Sequence, residues 1–332
     1  MSLAKSCPDC HERSAVAVSI IIIAAQATNY LDEVLSRIPD LEGPANETIV
    51  VLDEPIESGS DTVRYVSSGA VGPADKRDLG AQAARGRFLA FIDDDAYPDA
   101  GWLKAALPHF EDEAVWAVGG PGVTPENDDY RAQVSGWTYS SWIVSGPARH
   151  RYIPERARAV DDYPSMNLIL RRSAFEKVGG FDSSYYPGED TKLCLEIVRL
   201  GGRIMYEPQA LVYHHRRPVM LGHLQQIAGY GRHRGYFARA FPETSRRIAY
   251  FVPSLWLVWL IAGSLVSFWT SGGRIVFLAT VAFYCAAVAI SAVAVMRASG
   301  SFWIGLAVAP TIVASHLVYG WQFLRGLARP HL

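Results

Sequence analysis

Residues 248–332 contain no Asp, Glu or Lys, and their only charged side chains are Arg274, Arg297, Arg325 and Arg329. Three uncharged stretches, Ala249–Trp269, Ile275–Met296 and Phe302–Leu324, each run for about 20 residues, the length an α-helix needs to cross a ~30 Å hydrocarbon core. Trp256, Trp259, Trp269, Trp303 and Trp321 include several near segment ends, where indoles favour the membrane interface. Pro253 and Pro310 are expected to kink their helices. This end of the chain therefore reads as an all-α transmembrane region of about three helices. Three spans would put Arg325 and Arg329 opposite the N-terminal half; a re-entrant or surface-lying segment would remove that conflict.

The rest of the chain is physically different. All 33 acids lie before residue 248, beside all but four of the 31 Lys and Arg. Between 214 and 247 stand Arg216, Arg217, Arg232, Arg234, Arg239, Arg246 and Arg247, with Glu243 as the sole acid. That excess makes 214–247 a basic interfacial segment. By the positive-inside rule it predicts a multi-pass protein of the cell (inner) membrane with its N-terminal half in the cytoplasm. Such a segment also attracts anionic headgroups or a lipid-linked phosphate. An acidic N-terminal half followed by membrane segments argues against a nucleic-acid partner.

Ile20–Ala25 is apolar but too short to span, and no cleavable leader surrounds it. Cys7, Cys10 and His11 have metal-like spacing, but no second cysteine pair completes a zinc site, so 1–15 reads as a flexible tail.

Residues 16–213 alternate between strand and helix signals. Val16–Ala24 and Glu47–Leu52 are strand-like apolar runs, and Val63–Ser67 is a third short one. Asn29–Ile38 and Asp75–Ala84 have helical spacing, with Asn29 available as a cap. Phe88–Ile92 is a strand, Trp102–Phe110 a helix, Trp116–Gly119 a strand. Residues 124–162 read as irregular and aromatic, a ligand-contacting segment or a partly helical insertion. Met166–Arg171 returns to strand, Ser173–Val178 and Thr191–Leu200 to helix, and a strand-like run from Tyr206 ends at Tyr213. Such alternation predicts an α/β domain with a mainly parallel, Rossmann-like sheet. Ligands bind such sheets outside the carboxyl ends of the strands. Asp53 and the triplet Asp93-Asp94-Asp95 both fall there.

Three adjacent carboxylates repel one another unless a cation sits among them. They suit a hard divalent ion that also holds substrate phosphates, or else form a solvated acidic turn closed by Pro98. Glu189 and Asp190 sit at a predicted helix N-terminus, where Asp190 serves either as a general base or as a simple cap. His214 and His215 follow a strand and are metal ligands or surface residues. Gln226, Arg232 and Arg234 offer donors for diphosphate oxygens on a helix beside the membrane.

In this order the elements resemble the family 2 inverting glycosyltransferases, which have a GT-A fold, from about Val16 to Arg234. Val18–Ile22 is similar to the family's opening strand, and Ile49–Asp53 to its second. Lys76-Arg77-Asp78-Leu79-Gly80 resembles the region before the metal site, and Asp93-Asp94-Asp95 the DxD element. Asn167-Leu168, Arg171–Phe175 and Gly179–Asp182 also follow family patterns, and Glu189-Asp190 resembles the ED pair. The QxxRW element of processive members is not reproduced at Gln226–Arg234, which argues against a processive polysaccharide synthase. The resemblance implies donor contacts from Asp53, Arg77, Asp93 and Asp94, and Mg²⁺ or Mn²⁺ at Asp95 with His214. It implies Asp190 as general base beside Glu189, and Asn167, Gln226, Arg232 and Arg234 toward the acceptor or diphosphate. The expected reaction moves a sugar, most simply from a UDP-sugar, to a polyprenyl-diphosphate-linked glycan in cell-surface polysaccharide or glycoconjugate assembly. A polyprenyl-phosphate sugar synthase and a catalytically silent membrane scaffold are the alternatives.

Overall fold

The uninterrupted apolar runs become strands covered on both faces. A computed structural model describes residues 16–54 and 62–329; the Cys7–Cys10 pair lies outside the described residues. From the N-terminus come β1 (Val18–Ile23), α1 (Asn29–Arg37), β2 (Asn46–Leu52), β3 (Val63–Ser67), α2 (Pro73–Ala83) and β4 (Phe88–Asp93). They are followed by β5 (Ala96–Pro98), α3 (Trp102–Ala106), β6 (Val115–Gly119), β7 (Gly122–Val123) and α4 (Tyr130–Ser140). Next are β8 (Arg158–Val160), β9 (Asn167–Arg171), α5 (Arg172–Val178), α6 (Glu189–Arg199), β10 (Arg203–Tyr206) and β11 (Val212–His214). The chain ends in α7 (Leu221–Ala240), α8 (Ile248–Trp269), α9 (Ser271–Ser299) and α10 (Phe302–Ala328).

The chain divides into two compact units. Met1–Val123 with Pro154–His214 forms one, and Thr124–Ile153 with His215–Leu332 the other.

In the first unit an eight-stranded sheet runs β3-β2-β1-β4-β9-β6-β10-β8. The strands β3, β2, β1 and β4 are mutually parallel, as is the β6–β10 pair. Strand β9 is antiparallel to both its neighbours and β8 is antiparallel to β10, so the sheet is mixed although mainly parallel. Every residue of β1 is buried. Its Val18, Ile20 and Ile22 pack with Leu31, Val34 and Trp102 on one face, while Ile21 and Ile23 pack with Ala74, Ala81 and Ile197 on the other. Helix α2 lies unusually close to the sheet, because a Cβ on Gly80 would come within 2.5 Å of Ile21 Cγ2. A smaller sheet, β5-β11-β7, stands beside the end of β4.

Local chemistry explains where the boundaries moved. Thr28, rather than Asn29, caps α1, its Oγ1 accepting from Leu31 N at 3.3 Å. The helix expected over 102–110 is α at Trp102–Ala106 and tightens to 3₁₀ at Leu107–Glu111, where Pro108 lacks a backbone donor. The strand-like run from 206 to 213 is two strands, ending at Tyr206 and resuming at Val212.

The irregular segment expected over 124–162 is corrected by the second unit. It contains α4, capped by Asp129 Oδ1 accepting from Ala132 N at 2.9 Å, then a further helical turn at Trp142–Ser145. Small and polar positions hid this helix, since Ser135, Gly136 and Thr138 are buried against neighbouring helices. Three helices of this unit, α8, α9 and α10, are long and apolar enough to cross a membrane.

Candidate active site

The parallel strands deliver acids to one rim, and α2 brings the cations that hold them. Asp93 ends β4, in register with Ile23 at the end of β1, and Asp53 directly follows β2. From α2, Lys76 and Arg77 reach this rim while only 5% and 6% exposed. Lys76 Nζ pairs with Asp53 Oδ1 and donates to Ala24 O at 2.7 Å. Arg77 donates to Asp93 Oδ1 at 2.8 Å and to Glu189 Oε1 at 3.0 Å, joining residues far apart in sequence. Burial works against its charge, yet Asp93 and Glu189 together hold the Arg77 pKa above its ordinary value.

The acids divide into two kinds. Burial, reinforced by Asp95 and Asp93, pushes the Asp94 pKa up to about 7. Burial and then the like charge of Asp190 push Glu189 up to about 7 as well, despite its ion pair with Arg77. Arg77 divides its charge between two carboxylates, and the more buried of them resists ionisation. Asp190 is half-buried at the second position of α6 and accepts from Thr191 N at 2.7 Å. The helix cap is Gly188, so Asp190 does not serve as a simple N-cap. Its place in the first turn favours an ionised carboxylate, and its charge acts on both Glu189 and Arg77.

Asp95 faces β11. Pairing of β11 with β5 sets His214 opposite Ala96, and His214 Nε2 comes 3.2 Å from Asp95 Oδ1. His215 points elsewhere; its Nδ1 lies 2.5 Å from Asp128 Oδ1, both within the second unit. Among the described residues no group of three or more His, Cys, Asp or Glu side chains forms a ready metal cage. One carboxylate with one imidazole fits an ion that takes its remaining ligands from phosphate and water, and does not fit a closed structural zinc site.

Several expected residues do other work. Asn167, expected toward the acceptor or diphosphate, is fully buried and its side chain is engaged inside the first unit. Asn167 Oδ1 accepts from Trp102 Nε1 at 2.8 Å, and Nδ2 donates to Gly120 O and Ala210 O, both at 2.8 Å. In the second unit Gln226 Oε1 accepts from Tyr139 Oη at 3.1 Å. Arg234 is 8% exposed, sits over the Tyr250 ring at 5.0 Å and donates to Ser245 Oγ at 3.3 Å, while Arg232 is half-buried on the same helix.

Two contributors, Lys76 and Asp78, were named only within the 76–80 motif and given no role. Lys76 sits next to Arg77 on a helix facing an acidic rim, and that adjacency was the available signal. Burial raises the Asp78 pKa to about 6 while the acid accepts from Phe181 N at 3.0 Å, tying α2 to the turn that leads to α6. No local pattern marks such a long-range strut.

Residues 19–179 match the family model described as Glycosyl transferase family 2. Over 163 residues the chain is 35% identical to the pre-mycofactocin glycosyltransferase of Mycobacterium tuberculosis, covering 48% of this chain and 33% of that protein. It is 27% identical over 164 residues to the glucosyl-dolichyl phosphate glucuronosyltransferase of Haloferax volcanii, covering 46% of this chain and 51% of that protein. The chain thus spans a third to a half of these relatives' length. Among solved structures, the mannosyltransferase PcManGT from Pyrobaculum calidifontis, in complex with GDP-Man and Mn2+, is similar in fold, with a TM-score of 0.60 at 16% identity. That similarity covers 89% of this chain and 86% of the other.

Proposed function

Residues 19–179 being a family 2 glycosyltransferase domain, we propose that the chain is a membrane-bound inverting glycosyltransferase. It moves a sugar from a nucleotide-sugar donor to a lipid-linked acceptor at the cytoplasmic face of the inner membrane. The observation that carries this reading is the convergence of Asp53, Asp93 and Glu189 on two buried cations, Lys76 and Arg77, at the rim where parallel strands end. An acidic rim organised in this way is costly to a fold and suits recognition of a charged, metal-bearing ligand.

Asp53 and Asp93, both fixed by α2, face the nucleoside. Asp95 and His214 would hold Mg²⁺ or Mn²⁺, which would offset the charge that grows on the leaving nucleoside diphosphate. Asp190, at the start of α6, takes the proton of the acceptor hydroxyl as it attacks the anomeric carbon from the opposite face. Glu189 and Arg77 act as positioning residues, keeping Asp93 and Asp190 at one rim. The lipid-bound acceptor is supported by three apolar helices and by the dolichyl phosphate in the name of the Haloferax volcanii relative. A UDP-sugar donor and a polyprenyl-diphosphate-linked glycan acceptor are the simplest substrates to try.

Turnover of Asp190→Asn tests the assignment. A loss on the order of 10²–10⁴ with folding intact is expected of a general base. Near-parental turnover with a hydroxyl acceptor refutes it. In a second reading, a polyprenyl-phosphate sugar synthase, the phosphate attacks directly; retained Asp190→Asn activity with polyprenyl monophosphate would select it. A silent scaffold would show no metal-dependent hydrolysis across a panel of nucleotide sugars.

A further inference from the structure

Helices α8 and α9 form an antiparallel hairpin with a legible register. Trp256 stacks on Tyr284 at 4.5 Å, Trp259 Nε1 donates to Thr280 Oγ1 at 2.8 Å, and Gly263 faces Phe277. From Trp256 and Tyr284 to the tip at Thr270 is about 20 Å at 1.5 Å per residue. The contacts of α10 stay at the other, open end. Gly305 abuts Ala292 and Met296 of α9, and His316 Nδ1 meets Tyr284 Oη at 2.9 Å. Farther along α10, Gly320 O accepts from Ser254 Oγ at 3.0 Å, and Phe323 meets Phe251 at 4.8 Å.

So α10 starts against the last turns of α9 and by Gly320 has reached only the second turn of α8. Between Gly305 and Gly320 it advances about 22 Å along its own axis. Over the same interval it climbs about 11 Å along the hairpin, from the level of Ala292–Met296 to that of Pro253–Ser254. It therefore crosses the open end obliquely and stops far short of the tip.

Its surroundings agree. Residues 311–320 include none that is exposed, whereas most residues of α8 and α9 are exposed or half-exposed. Val308 and Ile312 of α10 pack with Val134, Val219, Val288 and Val295, and polar groups join them. Fully buried His223 of α7 bridges Ser135 Oγ at 2.8 Å and Ser315 Oγ at 2.9 Å. Gly231 and Gly235 press α7 against the carbonyls of Tyr319 and Phe323, and Gly326 presses α10 against that of Arg232. Arg239 of α7 donates to Arg329 O. With Gln226, half-buried Arg232 and exposed Arg239, α7 is a poor companion for a span through hydrocarbon, where a lipid-facing arginine is costly.

Resting on the membrane reading above, we propose that the chain crosses the bilayer twice, through α8 and α9 alone. In this arrangement α10 lies obliquely in the interface on the side where the chain enters α8. The paired carboxyl ends of α7 and α10 form a platform against the headgroup layer of that leaflet. Exposed Phe302, Trp303 and Trp321 suit the interface, and exposed Arg239, Arg246, Arg247 and Arg325 suit anionic phosphates. This resolves the placement of Arg325 and Arg329, which come to the same side as Arg246 and Arg247.

A membrane-impermeant maleimide applied to sealed vesicles of each orientation tests it, using Ala240→Cys, Gly272→Cys and Ala328→Cys in the full chain. All three positions are exposed and a Cβ at Gly272 meets nothing within 4 Å. Peptide mass spectrometry separates each new site from the native cysteines. We expect Ala240→Cys and Ala328→Cys to label from one side and Gly272→Cys only from the other. Labelling of Ala328→Cys together with Gly272→Cys establishes a third span and overturns the proposal while sparing the membrane reading. Labelling of all three from one side overturns both.

Discussion

Replacing Arg77 by Met removes the cation shared by Asp93 and Glu189 and keeps much of its apolar stem. Breaking a buried ion pair by deleting one partner costs ~3–5 kcal/mol when a charge is stranded. Here the stranded acids have exits. Glu189, with a side chain 7% exposed and a pKa already near 7, takes up a proton; Asp93, at 29%, keeps some access to water. The loss at pH 7 should therefore sit at the lower end, about 3 kcal/mol. It should also depend on pH. Without Arg77 the Glu189 pKa rises further above its unfolded value of 4.5, so in the variant the folded state holds a proton that the unfolded state has released. Stability then falls as pH rises, by up to ~1.4 kcal/mol per pH unit, beyond the point near pH 7 where the parent's Glu189 has ionised. The difference between variant and parent should widen by up to about 2.7 kcal/mol between pH 7 and pH 9. Denaturant unfolding in detergent with chelator present, followed by the fluorescence of buried Trp102, measures it. The double variant Arg77→Met/Glu189→Gln should recover the pH-dependent part. A penalty below ~0.5 kcal/mol, or one constant from pH 7 to pH 9, would refute the shared-cation account of the rim.

Asn167→Leu should cost about 3 kcal/mol or more by stranding Trp102 Nε1 and the carbonyls of Gly120 and Ala210, while leaving the acceptor KM of the folded fraction unchanged. A thermal melt alongside a KM determination separates that strut from a ligand contact. Burial lowers the His223 pKa from 6.5 to about 4, so the unfolded state binds a proton before the folded one and stability should be lost as pH falls from 6.5 toward 4, by at most about 3 kcal/mol. His223→Gln, which keeps hydrogen-bonding capacity without titrating, should flatten that acid limb in a pH series of melts. Gly235→Val would drive a side chain into the Phe323 carbonyl and should destabilise the α7–α10 pair by ~1–3 kcal/mol or more, whereas Gly229→Ala, in open space on the same helix, should stabilise by up to ~1 kcal/mol. Opposite signs in paired unfolding curves are the expected outcome.

The sequence by itself determined what depends on near neighbours. Apolar runs such as Val18–Ile23 and Phe88–Ile92 have few ways to avoid water other than as buried strands, and an acid directly after such a run must lie at the strand's carboxyl end. A tail of 85 residues, 248–332, whose only charges are four arginines, yields three helices long and apolar enough to cross a membrane for the same reason. Tertiary structure decided whatever requires two distant segments to meet. Asn167 lies in a family-like motif, and only the fold shows Trp102, Gly120 and Ala210 closing around its side chain. Arg77 and Glu189 are 112 residues apart, and no spacing rule joins them. The α4 helix was hidden because Ser135, Gly136 and Thr138 interrupt the apolar residues it buries, and periodicity is read from apolar contrast. The third apolar helix has the length of a span, and composition cannot tell it from one. Its glycine contacts with α7 and the approach of Gly320 to Pro253 and Ser254 are what support the separate place proposed for it, because packing geometry, not hydropathy, fixes how far a helix travels along its neighbours.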